Sequence, residues 1–231
     1  MSDLRTIFDR HHCDRGHRHG YELIYEKLLR GRRHDELRIL EIGVFEGRGI
    51  RSWLDYFANV SIAGIDTFER VPIKDLTELE NNNGVSLLEC NSTVPEDVAR
   101  VLGGHTFDLI FDDGAHDPMS QRSTFQNLFP LLADDGHYFI EDVWPIDHLG
   151  EWQQSEEYQR LDPIEFSAES YRALVKVVSE HSPLFHDVRK QHGDSYIISV
   201  SKKNKSRNCP IRTVTESLLD RRVRTIVRHT D

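Results

Sequence analysis

Cysteine is scarce. Cys13, Cys90 and Cys209 are the only three in 231 residues. So odd and sparse a set excludes a disulfide framework and fits a reducing compartment, so a cytoplasmic protein is expected. Long apolar runs are missing too. None approaches the ~20 residues of a membrane span. The N-terminal stretch MSDLRTIFDRHHCDRGHRHG has no apolar core of a signal peptide. Neither membrane association nor export by that route is expected. Positive charge is in deficit, with a formal net charge of −10. An acidic body argues against nucleic acid as the main partner. The exception is Lys202 to Asp231, with nine Lys/Arg against three Asp/Glu, which reads as a solvated helix or a subunit contact. No GxxxxGK[ST] or GxGxxG loop is present, which disfavours ATP and NAD. The segment holding His11, His12, Cys13, Asp14, His17 and His19 lacks the second CxxC-type pair that would complete a tetrahedral zinc site.

What is present is enough chain for one large domain with a sizeable core. An N-terminal helical cap, residues 1–36, is expected first. Then Leu37–Ile42 reads as a strand, Gly43–Gly49 as a glycine-rich turn, Ile50–Phe57 as a helix and Val60–Ile65 as a second strand ending in Asp66. Such a turn lets the backbone approach a ligand closely. An acid at the end of the second strand is placed to grip a ribose diol. Further strands are expected at Val85–Cys90, Phe107–Phe111 and His137–Ile140, with helices at Pro95–Leu102, Met119–Leu132 and Ala168–His181. Leu184–Arg189 and Ser195–Ser201 read as a closing hairpin. The alternation predicts an α/β, Rossmann-like fold: a seven-stranded, mostly parallel sheet with helices on both faces and a C-terminal antiparallel hairpin. Residues 143–167 are irregular and sit where a substrate-binding insertion belongs. Trp144, His148, Trp152 and Tyr158 in it could stack on the face of a ligand or simply pack. A basic tail helix, Val214–Val227 within 202–231, is expected at the end.

The chemistry concentrates in FDLIFDDGAH, Phe107–His116, and YFIEDVW, Tyr138–Trp144. Each is a short continuous apolar run, as in a strand covered on both faces. Each stops abruptly in acid. Ligands of open parallel sheets bind beyond the carboxyl ends of the strands. Asp112, Asp113, Glu141 and Asp142 are therefore expected in one crevice, with His116 at its lip. Crowded carboxylates repel and need a counter-charge. An all-oxygen set suits a hard ion, Mg2+ or Ca2+.

These segments carry a resemblance. CDR…HGY at Cys13–Tyr21, LEIGVFEG at Leu40–Gly47, GID at Gly64–Asp66, IFDDGAH at Ile110–His116 and FIED at Phe139–Asp142 resemble the class I S-adenosylmethionine-dependent methyltransferases. More narrowly, they resemble the metal-dependent sugar O-methyltransferases of macrolide, tetracenomycin and methylmannose polysaccharide type. The resemblance implies S-adenosylmethionine and Mg2+ as cofactors. It implies Glu41 and Gly43 lining the cofactor site, Asp66 on the ribose, and Ser92 and Asp112 flanking the adenine and methionine portions. Tyr21, with His19, would belong to an N-terminal segment folded over the site and meet the cofactor. Asp113, Glu141 and Asp142 would bind the metal, and His116 would be the general base. The acceptor would be a sugar-containing small molecule or oligosaccharide, and a homo-oligomer, dimer or tetramer, is implied. Two other readings stand beside it. A catechol-type methyltransferase would place a lysine near the metal, and none adjoins FDDGAH. A non-catalytic cofactor-binding scaffold would need no intact acid–imidazole set.

Overall fold

The computed structural model describes residues 3–143, 167–187 and 196–202. Trp144, His148, Trp152, Tyr158, most of the expected insertion, the helix at Val214–Val227 and nearly all of the basic tail lie outside the described residues. The N-terminal segment forms α1 (Leu4–Arg10), α2 (Asp14–His17) and α3 (Glu22–Leu29). The rest alternates: β1 (Glu36–Ile42), α4 (Arg48–Tyr56), β2 (Asn59–Asp66), α5 (Thr77–Glu80), β3 (Val85–Glu89), α6 (Pro95–Leu102), β4 (Phe107–Asp112), α7 (Pro118–Leu128), β5 (Leu132–Val143), α8 (Ala168–Ser179), β6 (Leu184–Asp187) and β7 (Tyr196–Ser201).

The seven strands form one sheet in the order β3-β2-β1-β4-β5-β7-β6. The first five in that order run parallel, and β7 lies antiparallel between β5 and β6. This is the mostly parallel sheet with a closing antiparallel hairpin that the alternation predicts. Both faces are covered. Ile39, Leu109, Phe111 and Phe139 pack under α1, α3 and α4. Leu40, Ile110, Tyr138 and Ile140 pack under α6, α7 and α8. Side chains alternate across a strand, so a strand buried on both faces must be apolar throughout, as LIF and YFI are.

Two elements depart most from the sequence expectation. The helix expected over 119–132 ends at Leu128, and Phe129–Leu131 is a 3-10 turn. Pro130 is the reason, because it has no N–H to donate and its ring crowds the preceding turn. At the other end Asp117 caps the helix, its carboxylate accepting from the Ser120 N–H at 2.7 Å. The strand expected at 137–140 runs from 132 to 143. Asp135-Gly136, a pair whose composition signals a turn, is absorbed into it, with a register shift between Phe107 and Leu109 on β4.

The register sets the site. Ile42 lies beside Ile65 and Asp112, and Asp112 beside Ile140. The residues just beyond β1, β2 and β4 and those closing β5 therefore emerge at one level. The strand order reverses between β1 and β4, and that reversal is where an open sheet leaves a crevice.

Candidate active site

At the reversal, the loop after β1 touches the loop after β4. Gly43 has φ of 84°, and a Cβ there would stand 2.0 Å from the Asp113 carbonyl oxygen. Only glycine fits, in conformation and in space. The Asp113 N–H donates to the Ile42 carbonyl at 3.0 Å and locks the approach. One strand further out, the Asp66 carboxylate braces the glycine loop. Its Oδ2 accepts from the backbone N–H groups of Val44 (2.9 Å) and Phe45 (3.1 Å), and its Oδ1 from Phe68 (3.0 Å).

On the other side of Gly43 the structure gathers Asp113, His116 and Asp142, each offering a ligating atom within 4.8 Å of the others. His116 Nε2 lies 3.6 Å from Asp142 Oδ2. The N-terminal segment closes over the same acid: the Tyr21 hydroxyl donates to Asp142 Oδ1, and His19 Nδ1 stands 3.7 Å from that oxygen. His19 and Tyr21 stack with ring centroids 5.0 Å apart. Asp142 adopts a left-handed backbone, φ 49°, where β5 loses register with β7. Non-glycine residues in that region usually mark a functional constraint.

Glu141, expected as a third metal carboxylate, is not brought to this cluster. The left-handed backbone at Asp142 breaks the extended run of β5 there and sets the two carboxylates apart. While Asp142 faces the crevice, Glu141 is buried. Its carboxylate takes both a fork from Arg15 Nε, at 2.9 and 2.7 Å, and the Tyr25 hydroxyl. Arg15 itself is 2% exposed. Its Nη1 donates to Glu41 Oε1 at 2.8 Å and its Nη2 to Asp113 Oδ2 at 3.0 Å. Glu41 also accepts from Trp53 Nε1 at 2.9 Å. Arg15 thus holds three acids from three neighbouring strand ends. Sequence reasoning missed it, along with Tyr25 and Trp53. The available signal was the acid excess itself, which an arginine can answer as well as a metal. Gly49 makes room, since a Cβ there would lie 2.1 Å from Arg15 Nη1 and 2.2 Å from Glu41 Oε1.

The remaining expected residues divide. Gly43, Asp66 and Ser92 sit at the ends of β1, β2 and β3; Ser92 Oγ pairs with Thr124 Oγ1 at 2.9 Å. Glu41, Tyr21 and Asp112 are buried inside the protein's own bonds. Asp112 faces the α7 side and accepts from the Tyr138 hydroxyl at 3.1 Å. Burial pushes its carboxyl up to about 7, and burial likewise raises Glu141 to about 7 against the pull of Arg15. Phe45, Val94 and Met119, exposed large apolar residues, lie just past β1, β3 and β4.

Two carboxylates beside an imidazole can hold a divalent ion. Opposed ligands of a Ca2+-sized ion stand about 4.6–5.2 Å apart, and Mg2+ draws them closer. The imidazole can alternatively accept a proton from a hydroxyl brought to that ion.

Residues 40–143 match the family described as a methyltransferase domain. The chain is 28% identical over 204 residues to mycinamicin VI 2''-O-methyltransferase of Micromonospora griseorubida, covering 83% of this chain and 47% of that protein. It is 32% identical over 151 residues to 8-demethyl-8-(2-methoxy-alpha-L-rhamnosyl)-tetracenomycin-C 3'-O-methyltransferase of Streptomyces olivaceus, covering 62% and 37%. The chain therefore spans between about a third and a half of these relatives' length. Among solved structures it is similar to the MycE methyltransferase of the mycinamycin biosynthetic pathway in complex with Mg and SAH. The TM-score is 0.62 at 20% identity, with 89% of this chain and 56% of that one covered. The SAH-bound Podospora anserina methyltransferase PaMTH1 shares the fold over 87% of this chain and 88% of its own, with a TM-score of 0.55 at 14% identity.

Two outcomes follow from the buried charges. Gly49→Ala forces a methyl into the Arg15–Glu41 contact and is expected to lower stability by about 1–3 kcal/mol in urea unfolding; an unchanged midpoint would show that the contact yields freely. Asp112 binds its proton more tightly folded than unfolded, so its contribution to stability falls as pH rises from about 4 to 7 and is flat above. The stability of Asp112→Asn relative to wild type should therefore climb across that window, and a pH-independent difference between the two would contradict the burial argument.

Proposed function

We propose that the chain is an S-adenosylmethionine- and Mg2+-dependent O-methyltransferase acting on a sugar hydroxyl, a reading that starts from the match of residues 40–143 to the methyltransferase domain. The observation that carries the reading is the meeting of Asp113, His116 and Asp142 beside the Gly43 turn. It is supported by relatives whose names give glycosylated natural products as acceptors, and by a similar fold crystallised with Mg and SAH. The acceptor is a sugar-containing natural product or an oligosaccharide. The enzyme acts in the cytoplasm as a homo-oligomer, and the chain is one methyltransferase domain.

S-adenosylmethionine supplies the methyl group, and the metal a Lewis acid for the acceptor oxygen. The crevice beyond β1, β2 and β3 takes the cofactor. There Asp66 holds the Val44–Phe45 backbone in place while presenting its carboxylate edge to a ribose, and Phe45, Val94 and Met119 offer apolar surface to the base. Asp113 and Asp142 hold the metal. Glu141 stands behind them as a partner of Arg15. His116 accepts the proton of the acceptor hydroxyl. Tyr21 orients Asp142 from the side away from His116. Glu41 and Asp112 act at second hand, by fixing the ends of β1 and β4. Most of the acceleration comes from holding acceptor and donor in attack geometry.

The test is a methylation assay on glycosylated acceptors, free monosaccharides and oligosaccharides. Turnover should drop at least tenfold in EDTA and return with Mg2+; full activity in chelator would remove the metal from the mechanism. His116→Ala should bind S-adenosylhomocysteine as wild type does and lose about 10²–10⁴-fold in kcat. Undiminished turnover in that variant would end its role as base.

A further inference from the structure

Arg15 is the only cation placed in hydrogen-bonded ion pairs with Glu41, Asp113 and Glu141 among the described residues. It is fixed from behind. The Cys13–Tyr21 segment folds on itself through Gly20 N–H to the Gly16 carbonyl at 2.9 Å and Tyr21 N–H to the Arg15 carbonyl at 2.8 Å. Its guanidinium carbon lies 5.6 Å from the centroid of the Trp53 ring. All three of its nitrogens are used, each toward a different strand end. A planar fork can do this, whereas a lysine ammonium cannot span three carboxylates held at these angles.

The consequence is metrical. Asp113 follows β4, and Asp142 lies on β5 directly after Glu141. One guanidinium binds Asp113 at 3.0 Å and Glu141 at 2.7 Å, so it ties together the two strand ends that carry the candidate metal acids. It bonds Oδ2 of Asp113, whose side chain is still 27% exposed. Taking the cluster as the metal site proposed above, we propose that Arg15 is its positioning residue. By holding Asp113 and Glu141 on one rigid fork, it fixes the separation of Asp113 from Asp142 and so sets how tightly a divalent ion binds. Groups that orient metal ligands from behind typically govern about 10–100-fold in affinity.

The experiment measures Mn2+ binding to the full chain by titration calorimetry and electron paramagnetic resonance. Three variants are compared with wild type. Arg15→Lys keeps the charge and loses the fork. Arg15→Met/Glu41→Gln removes one cation and one anion together, keeping the balance of the cluster. Asp142→Asn reports on the site itself. The expected result is binding in wild type, loss in Asp142→Asn, and an affinity weakened about 10–100-fold in both Arg15 variants, least in the lysine. The Mg2+ concentration giving half-maximal turnover should rise by the same factor. A purely structural role would lower melting temperature and leave the Mn2+ constant where it was. Unchanged Mn2+ affinity in a folded Arg15 variant, with wild-type binding intact and lost in Asp142→Asn, overturns the positioning role and spares the metal reading. No Mn2+ binding by wild type overturns both. Failure of both Arg15 variants to fold assigns the residue to structure alone and overturns the proposal.

Discussion

The site depends on one buried cation among buried anions. Removing a guanidinium and three carboxylates from water costs several kcal/mol per ion, and their mutual attraction returns that only where the geometry is good. Replacing such a cluster by apolar residues is often neutral or stabilising, whereas deleting one member costs roughly 3–5 kcal/mol. A cluster like this is therefore poor evidence of stability and good evidence of fixed positions. Arg15 meets Glu41, Asp113 and Glu141 at 2.7–3.0 Å. Three formal negative charges face one positive one. Burial raises Glu141 to about 7 against the pull of Arg15, with Glu41 adding to the rise, and the surplus of negative charge makes the neighbourhood of Asp113 and Asp142 attractive to a further cation.

The surroundings keep that interaction dry. Trp53 stacks on Phe111 with centroids 4.3 Å apart, and Phe111 on Phe139 at 5.2 Å. Tyr25 stands edge-on to all three. Buried tryptophan and tyrosine need partners for their polar tips. Here the Trp53 N–H goes to Glu41 and the Tyr25 O–H to Glu141. The aromatic core thus ends in the charged hub, and each satisfies what the other leaves open. Water excluded by the rings cannot screen the charges, so small displacements carry large energies. The N-terminal helices that lie outside the alternating βα pattern are for the same reason part of the site: they carry Arg15, Tyr21 and Tyr25.

The fold was legible because strands buried on both faces leave apolar runs that end sharply. FDLIF and YFI are such runs, and the parallel order follows from the helices between them. Less of the site could be read. Four acids in two segments pointed correctly to one level of the sheet, but not to one pocket. The end of β4 separates Asp112 from Asp113, and the left-handed backbone at Asp142 separates it from Glu141, so one of each pair faces the crevice and the other the interior. The sequence held no reason to choose which. Arg15 supplies the reason for Glu141, and Tyr138 for Asp112. Neither partner is near in sequence. Arg15 stands 126 residues from Glu141 and Tyr138 stands 26 from Asp112, and an arginine amid histidines and acids reads as surface. The boundary at Leu128 is the opposite case, since Pro130 announces it locally.

Backbone strain points to the same place as the charges. Five non-glycine residues among those described have positive φ, and Phe45, Phe68 and Asp142 of them lie just beyond β1 and β2 and near the end of β5. Left-handed backbone at such residues costs of order 1–3 kcal/mol each and persists where the surroundings impose it. For Phe45 and Phe68 the imposing group is visible: the Asp66 carboxylate accepts both of their N–H groups. An acid that is expected to meet a ribose thus also holds the strained turn in place. One carboxylate therefore braces the loops after β1 and β2 together. At the end of β5, the left-handed backbone at Asp142 turns its carboxylate to His116 and Tyr21 while Glu141 stays inside with Arg15. Both halves of the crevice follow one design, in which a buried or bonded carboxylate fixes a strained strand end that faces outward. Gly43 joins them, because its missing side chain lets the two strand ends touch.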